Sequence, residues 1–174
     1  MEKNRVVFLD RDGIINKDYG YVYKKDDFEF LPKVIDGLKI LKDLGYKLII
    51  ITNQSGIGRG YYEEKDYNIL TKYMIGELEK YDIHIEEIYY CPHTDKDNCN
   101  CRKPKLKLFY DAIKKYNVDL ENSFAIGDKV RDLAICEETK IKGILINNNN
   151  NNINSRYKNV NDLLEAANFI IRGN

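Results

Sequence analysis

Very little in this chain is in excess. Lys plus Arg and Asp plus Glu each number 28, so the formal net charge is zero and no overall field draws nucleic acid or an anionic membrane. No apolar run approaches the roughly 20 residues that span a bilayer. The start, Met1-Glu2-Lys3-Asn4-Arg5, has no signal-peptide core, which predicts a cytoplasmic chain with no membrane anchor. There is no internal repeat and no linker rich in Gly, Pro or Ser. The 174 residues, 43% hydrophobic, therefore read as a single domain, 1–174, with a sizeable core, expected to act as a monomer. Cysteine is sparse, at four residues, and in a reducing compartment these suggest metal ligands or free thiols rather than disulfides. No complete G-x-G-x-x-G or Walker lysine follows the first apolar run, which weakens a dinucleotide or nucleoside-triphosphate reading.

What is present is an alternation of short apolar runs and helical periodicities. Val6-Val7-Phe8-Leu9 is apolar on both faces of a strand and ends abruptly in Asp10-Arg11-Asp12-Gly13. Val34, Leu38 and Leu41 recur at helical spacing, with Ile35 widening the face. They predict a helix from Pro32 to Leu44, with Pro32 in its first turn and Gly45 past its end. Further strands are expected at Leu48–Ile51, Ile85–Tyr90, Ser123–Ile126 and Ile144–Ile146. Helices are expected at Glu63–Tyr81, Leu106–Tyr116 and Val130–Lys140, and a last one capped by Asn161 runs to Ile171. The run Asn147 to Asn152 reads as a solvated, low-complexity loop without chemistry. Strands alternating with helices imply an α/β fold with a doubly wound, parallel, Rossmann-like sheet.

That topology gathers Asp10, Thr52 and Asp128, each directly after a strand, at the sheet edge where ligands bind. The bland alternative is a set of turns whose aspartates bond only their own backbone, but three strand-end coincidences weigh against it. Carboxylates at 10 and 12 can divide labour, one binding metal and attacking, the other moving protons. Asp10 and Asp128 suit a hard cation such as Mg²⁺. A hydroxyl at Thr52, nearby loop amides and the charge of Lys103 complete a set suited to phosphoryl transfer. Cys91, His93, Cys99 and Cys101 place four soft ligands in one loop, matching a closed structural Zn²⁺ site, with unligated thiols as the alternative. Cys136 stands apart and reads as a small buried thiol on a helix. His84 has no partner visible in sequence.

In order, Asp10-Arg11-Asp12-Gly13, Thr52-Asn53, Lys103 and Gly127-Asp128-x-x-x-Asp132 resemble the four motifs of the haloacid dehalogenase superfamily of phosphatases, across nearly the whole chain to Ile146. Thr52-Asn53-Gln54-Ser55-Gly56, and Cys91-Pro92-His93 leading to Cys99-Asn100-Cys101-Arg102-Lys103-Pro104, are similar to its histidinol-phosphate and heptose-bisphosphate phosphatase group. Asn16 to Val22 and Ser55 to Gly60 resemble the heptose enzymes, while the short loop between His93 and Cys99 resembles the histidinol-phosphate enzymes.

The resemblance implies a capless haloacid dehalogenase-type fold with a zinc-bound loop and a Mg²⁺-dependent phosphatase. In it Asp10 attacks phosphorus and carries an aspartyl-phosphate, and Asp12 protonates the leaving oxygen and later activates water. The Asp10 and Asp128 side chains and the Asp12 carbonyl hold Mg²⁺, Thr52 and Lys103 stabilise the phosphoryl group, and Asp132 supports the shell. Arg11, Asp18, Tyr19, Gly20, Tyr21, Asn53, Gln54 and Ser55 would contact a sugar. Arg102 and Lys129, less securely Arg59, would take a second phosphate. The implied reaction removes the 7-phosphate of a heptose 1,7-bisphosphate, in the supply of activated heptose for surface glycans. Histidinol phosphate is the close alternative, and a catalytically silent phosphosugar-binding module is the alternative of a different class. A nucleic-acid 3′-phosphatase is disfavoured because no basic tract is present.

Overall fold

Val6–Leu9, none more than 1% exposed, form strand β1 in the middle of a six-stranded sheet; the computed structural model describes residues 2–147 and 154–173. The other strands are β2 (Lys47–Asn53), β3 (Glu87–Cys91), β4 (Phe124–Gly127), β5 (Lys142–Ile146) and β6 (Lys158–Val160). Their order is β3-β2-β1-β4-β5-β6 and every pairing is parallel. Parallel neighbours need crossovers, and helices supply most of them: α1 (Val34–Asp43), α2 (Ser55–Gly58), α3 (Glu64–Glu79), α4 (Lys107–Tyr116) and α5 (Ile135–Glu138), while α6 (Leu163–Ile171) follows the last strand.

Alternate residues of a strand point to opposite faces, so β1 feeds two cores. Val7 and Leu9 join Leu38, Leu41, Ile50, Met74 and Leu163 on one face. Val6 and Phe8 join Ile49, Ile51, Phe109 and Leu133 on the other, with Phe8 edge-on to Phe109 at 5.4 Å. Both faces being covered is why β1 tolerates no polar residue until it leaves the sheet at Asp10.

Four local expectations need correction. The last helix is capped by Asp162, whose carboxylate accepts from Glu165 N at 2.8 Å, while Asn161 instead donates to the Glu165 carboxylate. The stretch Val130–Lys140 is not one helix: a 3-10 turn over Val130–Leu133 precedes α5. There the Asp132 side chain turns back to accept from Lys129 N at 3.1 Å, tightening the turn. Pro32 lies before α1 rather than in its first turn, with Lys33 at φ 64° between them. Strand β6 went unpredicted because only Val160 of its three residues is buried, which leaves no period to read. Of the asparagine run, Asn148 to Asn152 lie outside the described residues. Among the described residues no helix is long and apolar enough to cross a membrane.

Strands β2, β1 and β4 are adjacent and parallel, so their carboxyl ends open on the same edge. Thr52, Asp10 and Asp128 are brought together there.

Candidate active site

Asp10 is the first residue beyond β1, and its N–H still donates to Ile126 O of β4 at 3.3 Å. Its carboxylate accepts from Arg11 N at 2.8 Å and meets Lys103 Nζ at 3.2 Å. The same ammonium lies 2.8 Å from Asp132 Oδ1 and donates to Ile51 O at 2.6 Å. Lys103 reaches this buried position because Asn53 grips its backbone from both sides. Asn53 Oδ1 accepts from Lys103 N at 3.0 Å, and Asn53 Nδ2 donates to Lys103 O at 3.1 Å.

Asp10, Asp128 and Asp132 each offer a carboxylate oxygen within 4.8 Å of the others. Burial lifts Asp10 to about 7; Lys103 works against the rise, and the neighbouring Asp132, Asp12 and Asp128 add to it. Burial, then Asp132, lifts Asp128 to about 6. Burial opposes the charge on Lys103, but Asp10 and Asp132 outweigh it and raise its pKa. Asp128 Oδ1 is buried without a hydrogen-bond partner. Gly13, at φ +85°, passes so close that a Cβ there would overlap the Asp128 carboxylate. Hard carboxylate oxygens forced together with one of them unpartnered fit a divalent cation such as Mg²⁺. Asp132, expected to support the shell or to sit on a helix surface, is a buried, full member of this cluster.

Asp12 is held by both oxygens. Oδ1 accepts from Arg11 Nη2 at 2.9 Å and Asn16 Nδ2 at 3.0 Å, and Oδ2 accepts from Gln54 Nε2 at 3.0 Å. Gln54 Nε2 also donates to Thr52 Oγ1 at 3.0 Å. Arg11 is 1% exposed; it donates to Val22 O at 2.7 Å and lies over the Tyr67 ring. It sits beneath the cleft, holding Asp12 from below, and does not line the sugar space expected of it. Thr52 is likewise buried behind the cleft surface.

The cleft above these groups has a volume of about 330 Å³. Asp10, Asp12, Lys103 and Asp132 contribute to it, with Asp18, Gly20, Tyr21, Asn53, Gln54 and Ser55 from the expected sugar-contacting set. Tyr19 is outside, 61% exposed, with its hydroxyl donating to Glu29 at 2.8 Å. Four further cations line the cleft. Arg59 and Arg102 share Asp95 Oδ1 at 3.0 and 3.9 Å, and Lys129 lies 3.5 Å from Asp18 and 3.6 Å from Asp128. Arg131 makes no ion pair among the described residues. Arg131 and Tyr62 line the cleft without having been singled out by sequence. The signal available for Arg131 was its place between Asp128 and Asp132; Tyr62 offered none.

Beside the cleft, the chain leaves β3 at Cys91 and loops back through a 3-10 turn, Asp95–Asp97, and through Asn98 at φ 49°. This return gathers Cys91, His93, Cys99 and Cys101. Cys91 Sγ lies 3.1 Å from Cys101 Sγ and 3.6 Å from Cys99 Sγ, and His93 Nδ1 lies 3.5 and 3.3 Å from Cys91 and Cys101. A tetrahedral zinc with Zn–S near 2.3 Å needs sulfur–sulfur edges of roughly 3.8 Å, so the four atoms are slightly contracted about a zinc-sized centre. Partial burial raises the Cys99 thiol, but N–H donors of Arg102 and Cys101 bring it down to about 6, favouring the thiolate a metal takes. Cys136 is half-buried on α5 against the second core, well away from this loop in sequence.

A family model described as polynucleotide kinase 3 phosphatase matches residues 5–142. The D-glycero-beta-D-manno-heptose-1,7-bisphosphate 7-phosphatase of Helicobacter pylori is 49% identical over 147 residues, covering 84% of this chain and 85% of that one. The D-glycero-alpha-D-manno-heptose-1,7-bisphosphate 7-phosphatase of Campylobacter jejuni is 40% identical over 167 residues, 96% of each chain. Among solved structures, D,D-heptose 1,7-bisphosphate phosphatase from B. bronchiseptica, complexed with magnesium and phosphate, matches with a TM-score of 0.87. It is 27% identical, and the match covers 98% of this chain and 99% of that one.

Proposed function

The chain belongs to the heptose-1,7-bisphosphate 7-phosphatase family of haloacid dehalogenase-type enzymes, and from that premise we propose that it removes the 7-phosphate of a D-glycero-D-manno-heptose 1,7-bisphosphate, in the supply of activated heptose for surface glycans. The observation that carries this reading is the pairing of Asp10, held against Lys103, with Asp12 in a cleft that also holds four outlying cations. A reacting phosphate and a second, distant phosphate require such a division.

In the first half-reaction a carboxylate oxygen of Asp10 bonds to phosphorus as the sugar–oxygen bond to phosphorus breaks. Asp12 gives its proton to the departing sugar oxygen. In the second half, Asp12 takes a proton from a water whose oxygen bonds to phosphorus, and the acyl phosphate at Asp10 breaks to release inorganic phosphate. Lys103 faces the charge that gathers on the phosphoryl oxygens. Thr52 accepts from Gln54 and so keeps its own hydroxyl proton for a phosphoryl oxygen. The Asp10 and Asp128 carboxylates and the Asp12 carbonyl, with Asp132 alongside, would hold Mg²⁺, which when bound would offset the repulsion between an anionic nucleophile and an anionic substrate.

Cys91, His93, Cys99 and Cys101 would hold zinc, which when bound would stiffen the loop that delivers Arg102 and Lys103. The chain acts as one capless domain with an open cleft. Asp18, Gly20, Tyr21, Asn53 and Ser55 face the sugar, and Arg102 and Lys129 meet the second phosphate. Histidinol phosphate presents an amine where these cations stand, so they repel it. Phosphate release from both heptose anomers and from histidinol phosphate tests the assignment. Preference for a heptose bisphosphate is expected, and preference for histidinol phosphate would overturn the substrate while leaving the phosphatase chemistry in place.

A further inference from the structure

Gln54 was expected to touch sugar, yet its amide is fully committed within the protein. Nε2 donates to Asp12 and to Thr52, both at 3.0 Å, and Oε1 accepts from the hydroxyl of Tyr62 at 2.7 Å. The backbone beneath is anchored by Gln54 N donating to Cys91 O at 2.7 Å. The two ends of that amide are not interchangeable. Rotated by half a turn, it would set its oxygen against the Asp12 carboxylate and deprive Thr52 of a donor. The terminal torsion of glutamine is soft, so side-chain packing alone does not choose between the two orientations.

Tyr62 does choose. Burial pushes its phenol up to about 12, so it stays a donor across the neutral range. Its ring stacks on Tyr23 with centroids 4.9 Å apart and planes 10° from parallel. An edge of the ring lies against Gly56, where any Cβ would overlap it. The hydroxyl is therefore delivered by a rigid aromatic body rather than by a mobile side chain.

We propose that Tyr62 is a positioning residue for the reaction: by fixing the Gln54 amide it holds Asp12 and Thr52 in the orientation that proton transfer and phosphoryl contact require. The inference rests on the reading of Asp12 as the proton-transfer group. Tyr62 edges the cleft, but its hydroxyl is turned to Gln54, so that hydroxyl acts through the amide on the rate of the bound complex rather than on binding.

Tyr62→Phe keeps the ring and removes only the hydroxyl. With Mg²⁺ and a heptose bisphosphate, kcat is expected to fall by about 2- to 12-fold, the worth of one neutral hydrogen bond, with KM nearly unchanged and the melting transition retained. In a Gln54→Leu background the same substitution should cost nothing more, because the residue through which it acts is gone. Equal losses in both backgrounds, or a change confined to KM, would overturn the proposal. If the unsubstituted chain released no phosphate, the phosphatase reading would fail instead. The relay would then be decided by the Gln54 side-chain amide resonances: a shift with Tyr62→Phe supports it, and no shift overturns it.

Discussion

The two ligand clusters of this protein are assembled by opposite routes. Cys91, His93, Cys99 and Cys101 come from one loop that folds back on itself. Asp10 and Asp128 come from the ends of two strands far apart in the chain and Asp132 from the turn after the second, and only the sheet brings Asp10 to the other two. The local cluster is soft, compact and partly exposed, suited to a closed metal site that adds stability. The assembled cluster is hard, buried and electrostatically strained, with Asp10 and Asp128 both raised. Metal in the loop would secure the fold, whereas the carboxylates cost stability, which the proposed sharing of one place by a nucleophile and a cation would explain.

Substitution at Asp10, the proposed nucleophile, is the sharpest way to separate the two. Asp10→Asn should lower kcat/KM by ~10⁴- to 10⁶-fold, the scale of removing a covalent nucleophile, while zinc content by elemental analysis stays the same. Loss of zinc together with activity would mean the clusters are not independent. Asp12→Asn should follow at ~10²- to 10⁴-fold, the range for general acid–base groups, with substrate binding retained in a direct titration. Near-normal turnover would remove Asp12 from the mechanism.

The loop is tested from the other side. Cys99→Ser should abolish zinc binding and lower stability by about 2.7–4.1 kcal/mol, as expected for a ligand at 100 to 1,000 times its dissociation constant. EDTA should stop turnover of the unsubstituted protein reversibly, with Mg²⁺ restoring it while zinc stays bound. A zinc-free protein of unchanged melting temperature would end the structural-metal reading.

Arg102 follows the Cys/His loop and Lys129 follows Asp128, so each would carry one region to a second phosphate. Arg102→Ala or Lys129→Ala should reduce kcat/KM for the bisphosphate by roughly 10- to 150-fold and for a simple monophosphate far less, since a charged hydrogen bond is worth about 1.5–3 kcal/mol. Equal sensitivity of both substrates would contradict that role.

The smallest effect is one of pH. Folded Asp10 and Asp128 hold protons more tightly than the unfolded chain, with values of about 7 and about 6 against an ordinary 3.8. Their contribution to stability is greatest below 3.8 and is lost as the pH rises towards 7 in metal-free protein. Mg²⁺ binds the ionised acids, so its increase in melting temperature should be larger at pH 8 than at pH 5. Equal gains at both would show that these carboxylates do not hold the ion.

Sequence legibility followed the same division. Strands β1, β2, β4 and β5 were readable because burial on both faces demands uninterrupted apolar residues. Strand β6, the short α2 and the break after Leu133 were not, because each is shorter than the period that would announce it. Arg11 was read as a substrate contact only through the family resemblance. Nothing local discloses that its side chain doubles back to Asp12 and Val22.

The sequence by itself determined the alternation of elements, the strand ends on which Asp10, Thr52 and Asp128 stand, and the four soft ligands of the loop. All of these are properties of neighbouring residues, and hydrophobic period and ligand spacing act over one or two turns of chain. The tertiary structure alone decided that Asp132 joins the carboxylate cluster, that Asn53 and Gln54 serve Lys103 and Asp12, and that Tyr62 and Arg131 line the cleft. Those roles depend on hydrogen bonds and charge contacts effective over a few ångströms between segments the chain separates by tens of residues. Close packing of the parallel strands is what brings such segments within reach.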